Sequence, residues 1–90
     1  MRLSTITKHD EAGSGSPFAC ALGGELRRLR KEAGLSQQVV GSPMSRAFIS
    51  LVEHGRLTPS LPSLVIIARR LNTSAAAILA SVELAMENEE

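Results

Sequence analysis

The stretch Ser36-Gln37-Gln38-Val39-Val40-Gly41-Ser42-Pro43-Met44-Ser45-Arg46-Ala47-Phe48-Ile49-Ser50-Leu51-Val52-Glu53-His54-Gly55 decides the fold. Ser36 is a helix N-cap, with a hydroxyl that can accept a free amide of the first turn, and the helix it starts runs to Gly41. Pro43 stops that helix, because its ring removes a donor and pushes Ser42 out of helical dihedrals. Ser45 caps a second helix from about Arg46 to His54, and Gly55 ends it. Two helices joined this tightly cannot extend each other or lie parallel, so they cross at a steep angle. Gly41 supplies a small residue where the pair comes closest. Phe48, Ile49 and Val52 face inward, which leaves Arg46, Ala47, Ser50, Leu51 and His54 on the outside.

Upstream, Phe18, Leu22, Leu26, Leu29 and Ala33 recur at helical spacing. Ser16 and Pro17 supply a cap and a first helical residue, and Gly34 supplies the left-handed stop. Gly23 and Gly24 each weaken the early half by about 1 kcal/mol relative to alanine, so the firm part is expected from Gly24 to Ala33. Downstream, Ser60 caps a helix carrying Leu61, Leu64, Val65, Ala68 and Leu71, closed by Asn72. Ser74 caps a last helix through Ile78, Leu79, Val82 and Met86. The short apolar runs lack the alternation of strands. The chain reads as all-α with five short helices, preceded by a polar, aperiodic arm over residues 1–15. Residues 16–80 form the domain, and residues 81–90 form an acidic helical extension. Val82, Ala85 and Met86 have little body left to cover there, which makes the extension a candidate dimer contact.

Composition narrows the function. The 90 residues include 43% hydrophobic and 21% charged side chains, the profile of an ordinary globular domain. No apolar run approaches the roughly 18 residues of a membrane span, and no signal-peptide core is present, so a cytoplasmic protein without membrane contact is expected. Cys20 has no partner for a disulfide and reads as a small buried hydrophobe. With only His9 and His54 beside it, no metal site of familiar spacing can be built. Two aromatics, Phe18 and Phe48, give no stacking platform for single-stranded nucleic acid. The net charge of +1 conceals an asymmetry. Residues 25–72 carry eight basic groups against three acidic ones, a net +5, whereas residues 73–90 carry four glutamates and nothing basic. A basic middle with an acidic tail suits a body that binds a polyanion and an end that points away from it.

The ordered series Leu29-Arg30-Lys31-Glu32-Ala33-Gly34-Leu35-Ser36-Gln37, Ser45 to Arg56, Pro59-Ser60-Leu61 and Ile67-Ala68-Arg69-Arg70-Leu71 resembles the helix-turn-helix domain of the Cro/phage-repressor (xenobiotic-response-element) family over roughly residues 22–80. The resemblance implies a five-helix, lambda-repressor-like domain that binds operator DNA, usually as a dimer, and regulates transcription. By position, Gln37 falls where the family contacts phosphate and sometimes a base. Ser45, Arg46 and Ala47 fall at the head of the recognition helix, with Ser50 and Leu51 one turn on. Arg56 fits a phosphate clamp. Arg30 and Glu53 match the family's buried ion pair, which sets an interhelical angle rather than touching DNA. One departure stands out. Between Gln37 and Ser50 the chain is two residues shorter than the family pattern, with Ser42-Pro43-Met44 in place of the turn glycine. The compressed turn must tilt or shorten the first helix of the pair.

Physically, a helix presented by a compact body fits the major groove, with its N-terminal residues nearest the base edges. Arg46 can donate two hydrogen bonds to guanine, and Ala47 and Leu51 can meet a thymine methyl. The amide ends behind Ser36 and Ser45 can receive phosphate oxygens. Each residue also has a plainer reading. Arg46 and the basic residues Arg27, Arg28, Arg30 and Lys31 can be solvated surface, Ser50 a satisfied helix hydroxyl, Leu51 a packing residue, and His54 a cation at a helix end. The expected function is therefore sequence-specific binding of double-stranded DNA by a homodimeric repressor, without cofactor, metal or small-molecule ligand. The rival is an antitoxin or adaptor that uses the same fold to bind a cognate protein partner. No paired carboxylate, nucleophile set or phosphate-cradling loop supports an enzyme.

Overall fold

Five serines begin five helices. The computed structural model describes residues 15–88, and the serines precede α1 (Pro17–Ala33), α2 (Gln37–Gly41), α3 (Arg46–Glu53), α4 (Leu61–Arg70) and α5 (Ala75–Glu87). Each hydroxyl oxygen accepts the backbone amide three residues on: Ser16 from Ala19 at 3.0 Å, Ser36 from Val39 at 3.1 Å, Ser45 from Phe48 at 3.0 Å, Ser60 from Ser63 at 3.2 Å and Ser74 from Ala77 at 3.0 Å. Such a cap contributes typically about 1 kcal/mol, so short helices start where the sequence places them. Left-handed backbone at Gly34 (φ 72°), Gly55 (φ 74°) and Asn72 (φ 62°) turns the chain at the ends of α1, α3 and α4. The expected arm over residues 1–15 lies outside the described residues except for Gly15, whose amide donates to the Gly55 carbonyl at 2.7 Å.

α1 packs against α3 on one side and α5 on the other, α2 lies on α3 and touches α4, and α4 rests on α5. Leu22 and Leu26 of α1, Val40 of α2, Ile49 and Val52 of α3, Leu64 and Ile67 of α4, and Ile78 and Val82 of α5 share one buried core. Phe48, Leu79 and Met86 are partly buried against it.

Two glycines are set by close approach. A Cβ on Gly41 would come within 2.6 Å of the Ile49 Cγ1, as the crossing of α2 and α3 demanded. Gly23 is the unexpected one. A Cβ there would overlap the Val52 carbonyl oxygen and reach 2.8 Å from that of Glu53. The glycine lets the α1 backbone meet the end of α3 directly, and α1 runs unbroken from Pro17 rather than firming only at Gly24.

Three expectations about packing are corrected. In α4 the buried positions are Leu64, Ile67 and Ala68, continued by Leu71 at its C-cap, a 3.6-residue stripe. Leu61, at 67% exposure, sits in the first turn outside it, and exposed Val65 lies about 100° round the helix from Leu64. Cys20 is exposed, because the buried arc of α1 passes through Ala19, Leu22, Gly23 and Leu26. Val82 is buried and Met86 packs on the core, because α1 is long enough to cover them. Residues 75–87 form one continuous helix across the expected boundary at residue 80, and the large apolar side chain that α5 leaves exposed is Leu84. Among the described residues no single helix is long and apolar enough to cross a membrane.

Candidate nucleic-acid interface

The pair α2–α3 is shaped by its short connection. Ser42 takes extended dihedrals before Pro43 (φ −61°, ψ 135°), and α2 ends after five residues. Arg70, in the last turn of α4, donates from Nη1 to the Val39 carbonyl at 2.8 Å and so ties the middle of α2 to α4.

α3 turns Ile49 and Val52 into the core and leaves the opposite side to solvent. Ser45, Arg46 and Ala47 at its head are exposed, Ser50 is half-buried, and Leu51 is 47% exposed. The packing reading of Leu51 therefore does not hold within the monomer. His54 caps the helix, with its Nδ1 2.8 Å from the Ser50 carbonyl oxygen. Arg56 follows on the exposed side, held by its amide to the Leu51 carbonyl at 2.9 Å.

Beneath this face lies the expected ion pair. Arg30 donates from Nε and Nη2 to the two Glu53 carboxylate oxygens at 2.6 and 3.0 Å, with side-chain exposures of 12% for Arg30 and 2% for Glu53. The arginine's third arm, Nη1, donates to the Leu35 carbonyl at 2.9 Å and fixes the entry to α2. Burial alone would raise the Glu53 pKa. Hydrogen bonds from Arg30 and Gln37, with the charges of Arg30 and Arg27, outweigh it and hold the carboxyl below the usual carboxylate range. The Glu53 hydrogen bond pushes the Arg30 pKa up against the opposing effect of burial. This planar, bidentate pairing bridges α1 and α3 at one relative orientation.

The sequence reading missed two further contacts. Gln37, half-buried at the start of α2, donates from Nε2 to Glu53 Oε1 at 3.1 Å, and its Oε1 accepts from Arg46 Nη1 at 3.4 Å. These bonds span sixteen and nine residues and leave no mark on local pattern. Arg28 is engaged too, donating to Glu25 at 2.7 Å and Glu32 at 2.8 Å across the surface of α1. Two of the four basic residues on α1 are thus committed to acidic partners within the chain.

The geometry agrees with what comparison shows. The clp gene regulator ClgR from Corynebacterium glutamicum superposes with a TM-score of 0.74 at 27% identity, covering 80% of this chain and 79% of that one. A second structure of ClgR gives 0.69 at 28% identity, covering 77% and 92%. The restriction-modification controller protein C.AhdI from Aeromonas hydrophila gives 0.66 at 28% identity, covering 78% of this chain and 99% of that one. No curated protein matches the chain. Residues 21–80 match the family model described as a helix-turn-helix domain, and the chain belongs to that family, in its Cro/phage-repressor form.

Proposed function

We propose that this protein is a transcriptional regulator that binds double-stranded DNA sequence-specifically as a homodimer and represses by occupying an operator. One observation carries the reading: α3 presents Ser45, Arg46, Ala47, Ser50 and Leu51 outward while a buried, bidentate ion pair fixes its angle to the body. In this role Arg46 reads guanine through two donors, Ala47 and Leu51 meet thymine methyls, and Ser50 serves either base or backbone. Gln37 and Arg56 flank this face at the phosphates. The relatives' descriptions as a gene regulator and a controller protein support the assignment. A binding role in the cytoplasm, without cofactor, goes with it.

One recognition helix reads only a few base pairs, so useful specificity calls for two half-sites roughly 34 Å apart. The exposed Leu84 on α5 supports a dimer contact there, and the glutamates nearby favour a surface remote from phosphates. Selection from random duplexes at moderate salt tests the whole reading, by recovering a palindrome with that half-site spacing. Recovery of no sequence above background refutes it.

Exposed Val39 and Leu51 favour a second reading, an antitoxin or adaptor that docks a protein partner on the same face. Stable co-purification with a neighbouring gene product, together with no duplex binding, would select it.

A further inference from the structure

α2 ends without the means to satisfy its own carbonyls. It holds five residues, Gln37–Gly41, and a helix that short is not stable by itself. Its last carbonyls have no amide further along the helix to bond. For the Val39 carbonyl, the amide four residues on belongs to Pro43, which has no N–H to give. The last turn of α2 carries no basic side chain either. Both lacks are met from another element: Arg70 reaches across from α4 and donates from Nη1 to the Val39 carbonyl oxygen at 2.8 Å. We infer that Arg70 is a positioning residue for DNA recognition, standing in for the donor that Pro43 cannot supply and so holding α2 where the binding face needs it. The inference rests on the DNA-binding reading above and adds to it what keeps the short helix in place.

A guanidinium suits this task. A cation at the carbonyl end of a helix complements the helix dipole, and a charged donor makes a stronger bond than a neutral amide. Arg70 serves two helices at once, because it lies in the last turn of α4 and bonds to α2. Arg69 shares that turn and that charge, yet the bond to α2 comes from Arg70.

The bond acts on the half of α2 that nothing else polar secures. The entry is fixed by Arg30, whose Nη1 donates to the Leu35 carbonyl at 2.9 Å. Beyond it, Val40 is buried in the core and Gly41 lies flat against Ile49 of α3. Those apolar contacts resist separation but leave rotation and sliding open, whereas a hydrogen bond prefers one direction. A shift of α2 would move Gln37, assigned above to phosphate, and would disturb the surface on which α3 rests. The consequence is a loss of affinity for DNA without the loss of any contact to DNA.

Two measurements on the full chain test this. The first is amide hydrogen exchange without DNA, comparing the wild type with Arg70→Met and with the control Arg69→Met. In Arg70→Met the buried Val40 and Gly41 amides of α2 should exchange about fivefold faster or more, while Leu26 of α1 and Val82 of α5 keep their rates. Arg69→Met should leave α2 unchanged. Unaltered exchange in Arg70→Met, or the same rise in every helix, overturns the proposal, and so does an equal effect from Arg69→Met. The second is a salt series of affinities for a duplex selected by the wild type. Arg70→Met should bind about three- to tenfold more weakly at every salt concentration, with the wild-type slope of log K against log salt. A slope lower by about 0.9, one phosphate's worth, makes Arg70 a direct phosphate contact and overturns the positioning role. Unchanged affinity beside faster α2 exchange overturns it too. If the wild type binds no duplex at all, the DNA-binding reading falls, and the exchange arm decides by itself whether Arg70 holds α2.

Discussion

Glu53→Gln removes one charge from the centre of the domain and changes almost nothing in shape, which makes it the sharpest probe of what orients α3. In the wild type the Glu53 carboxylate, 2% exposed, receives two bonds from Arg30 and one from Gln37. In the variant the Arg30 cation stays largely buried beside a neutral amide and keeps only the Leu35 carbonyl as a strong acceptor. Breaking one partner of a buried pair costs about 3–5 kcal/mol. Each kcal/mol lowers the melting temperature of a domain this size by about 4–8 °C, so a fall of at least about 12 °C is expected at neutral pH. The pH dependence gives an internal check. Because the folded-state pKa of Glu53 lies below the unfolded value, the pair's stabilisation is fully present above the unfolded carboxylate pKa of about 4.3 and is lost as pH falls through the folded value. The gap between wild type and variant, followed by circular dichroism melts, should be constant at neutral pH and close only in acid. The combination Arg30→Met with Glu53→Leu should recover much of the loss, since apolar replacement of both partners is often neutral or better. A variant that melts within about 2 °C of wild type at pH 7, about half a kcal/mol by the same scale, would refute the claim that this pair holds α3 at its angle.

The two neighbouring glycines of α1 should respond with opposite signs. Gly23→Ala drives a methyl into the Val52 and Glu53 carbonyls and should cost at least about 1–3 kcal/mol in urea melts, whereas Gly24→Ala meets nothing within 4 Å and should stabilise by about 0.5–1 kcal/mol. On DNA, Arg46→Ala should reduce discrimination at one base position by about five- to 150-fold, from the roughly 1–3 kcal/mol of a bidentate guanine contact. Arg56→Ala should weaken all sequences alike and lower the slope of log K against log salt by about one phosphate's worth, 0.9. Both are measured by fluorescence anisotropy, and two unchanged titrations would discard the groove assignment. Light scattering of the full chain at high micromolar concentration should give a dimer, and Leu84→Glu should shift it toward monomer without lowering the melting point of the monomer.

How far the sequence disclosed this arrangement depends on how far apart the interacting residues lie along the chain. Helix starts and stops were legible because a serine cap acts on an amide three residues away and a left-handed glycine acts on its own turn. All five helices begin at the serines that marked them. Burial was less legible. In α4 the sequence Leu61-Pro62-Ser63-Leu64-Val65-Ile66-Ile67 is apolar on most sides, so spacing alone could place Leu61 and Val65 inward when Ile67 is the residue that packs. The contact at Gly23 was illegible for a different reason. It is a demand made by the carbonyls of Val52 and Glu53, thirty residues on in sequence, and in α1 alone the glycine registers only as a loss of helix propensity. The polar ties are nonlocal in the same way. Arg30 to Glu53 emerged only through resemblance, and Arg70 to Val39 and Gln37 to Glu53 did not emerge at all. Local signals therefore determine that α3 exists and which residues it carries, while its aim is set by contacts from α1, α2 and α4. The contacts that set the direction of α3 accordingly extend well behind the exposed face: Gly23 and Arg30 hold α1 against α3 from the inside, and Arg70, itself exposed, holds α2 from the end of α4.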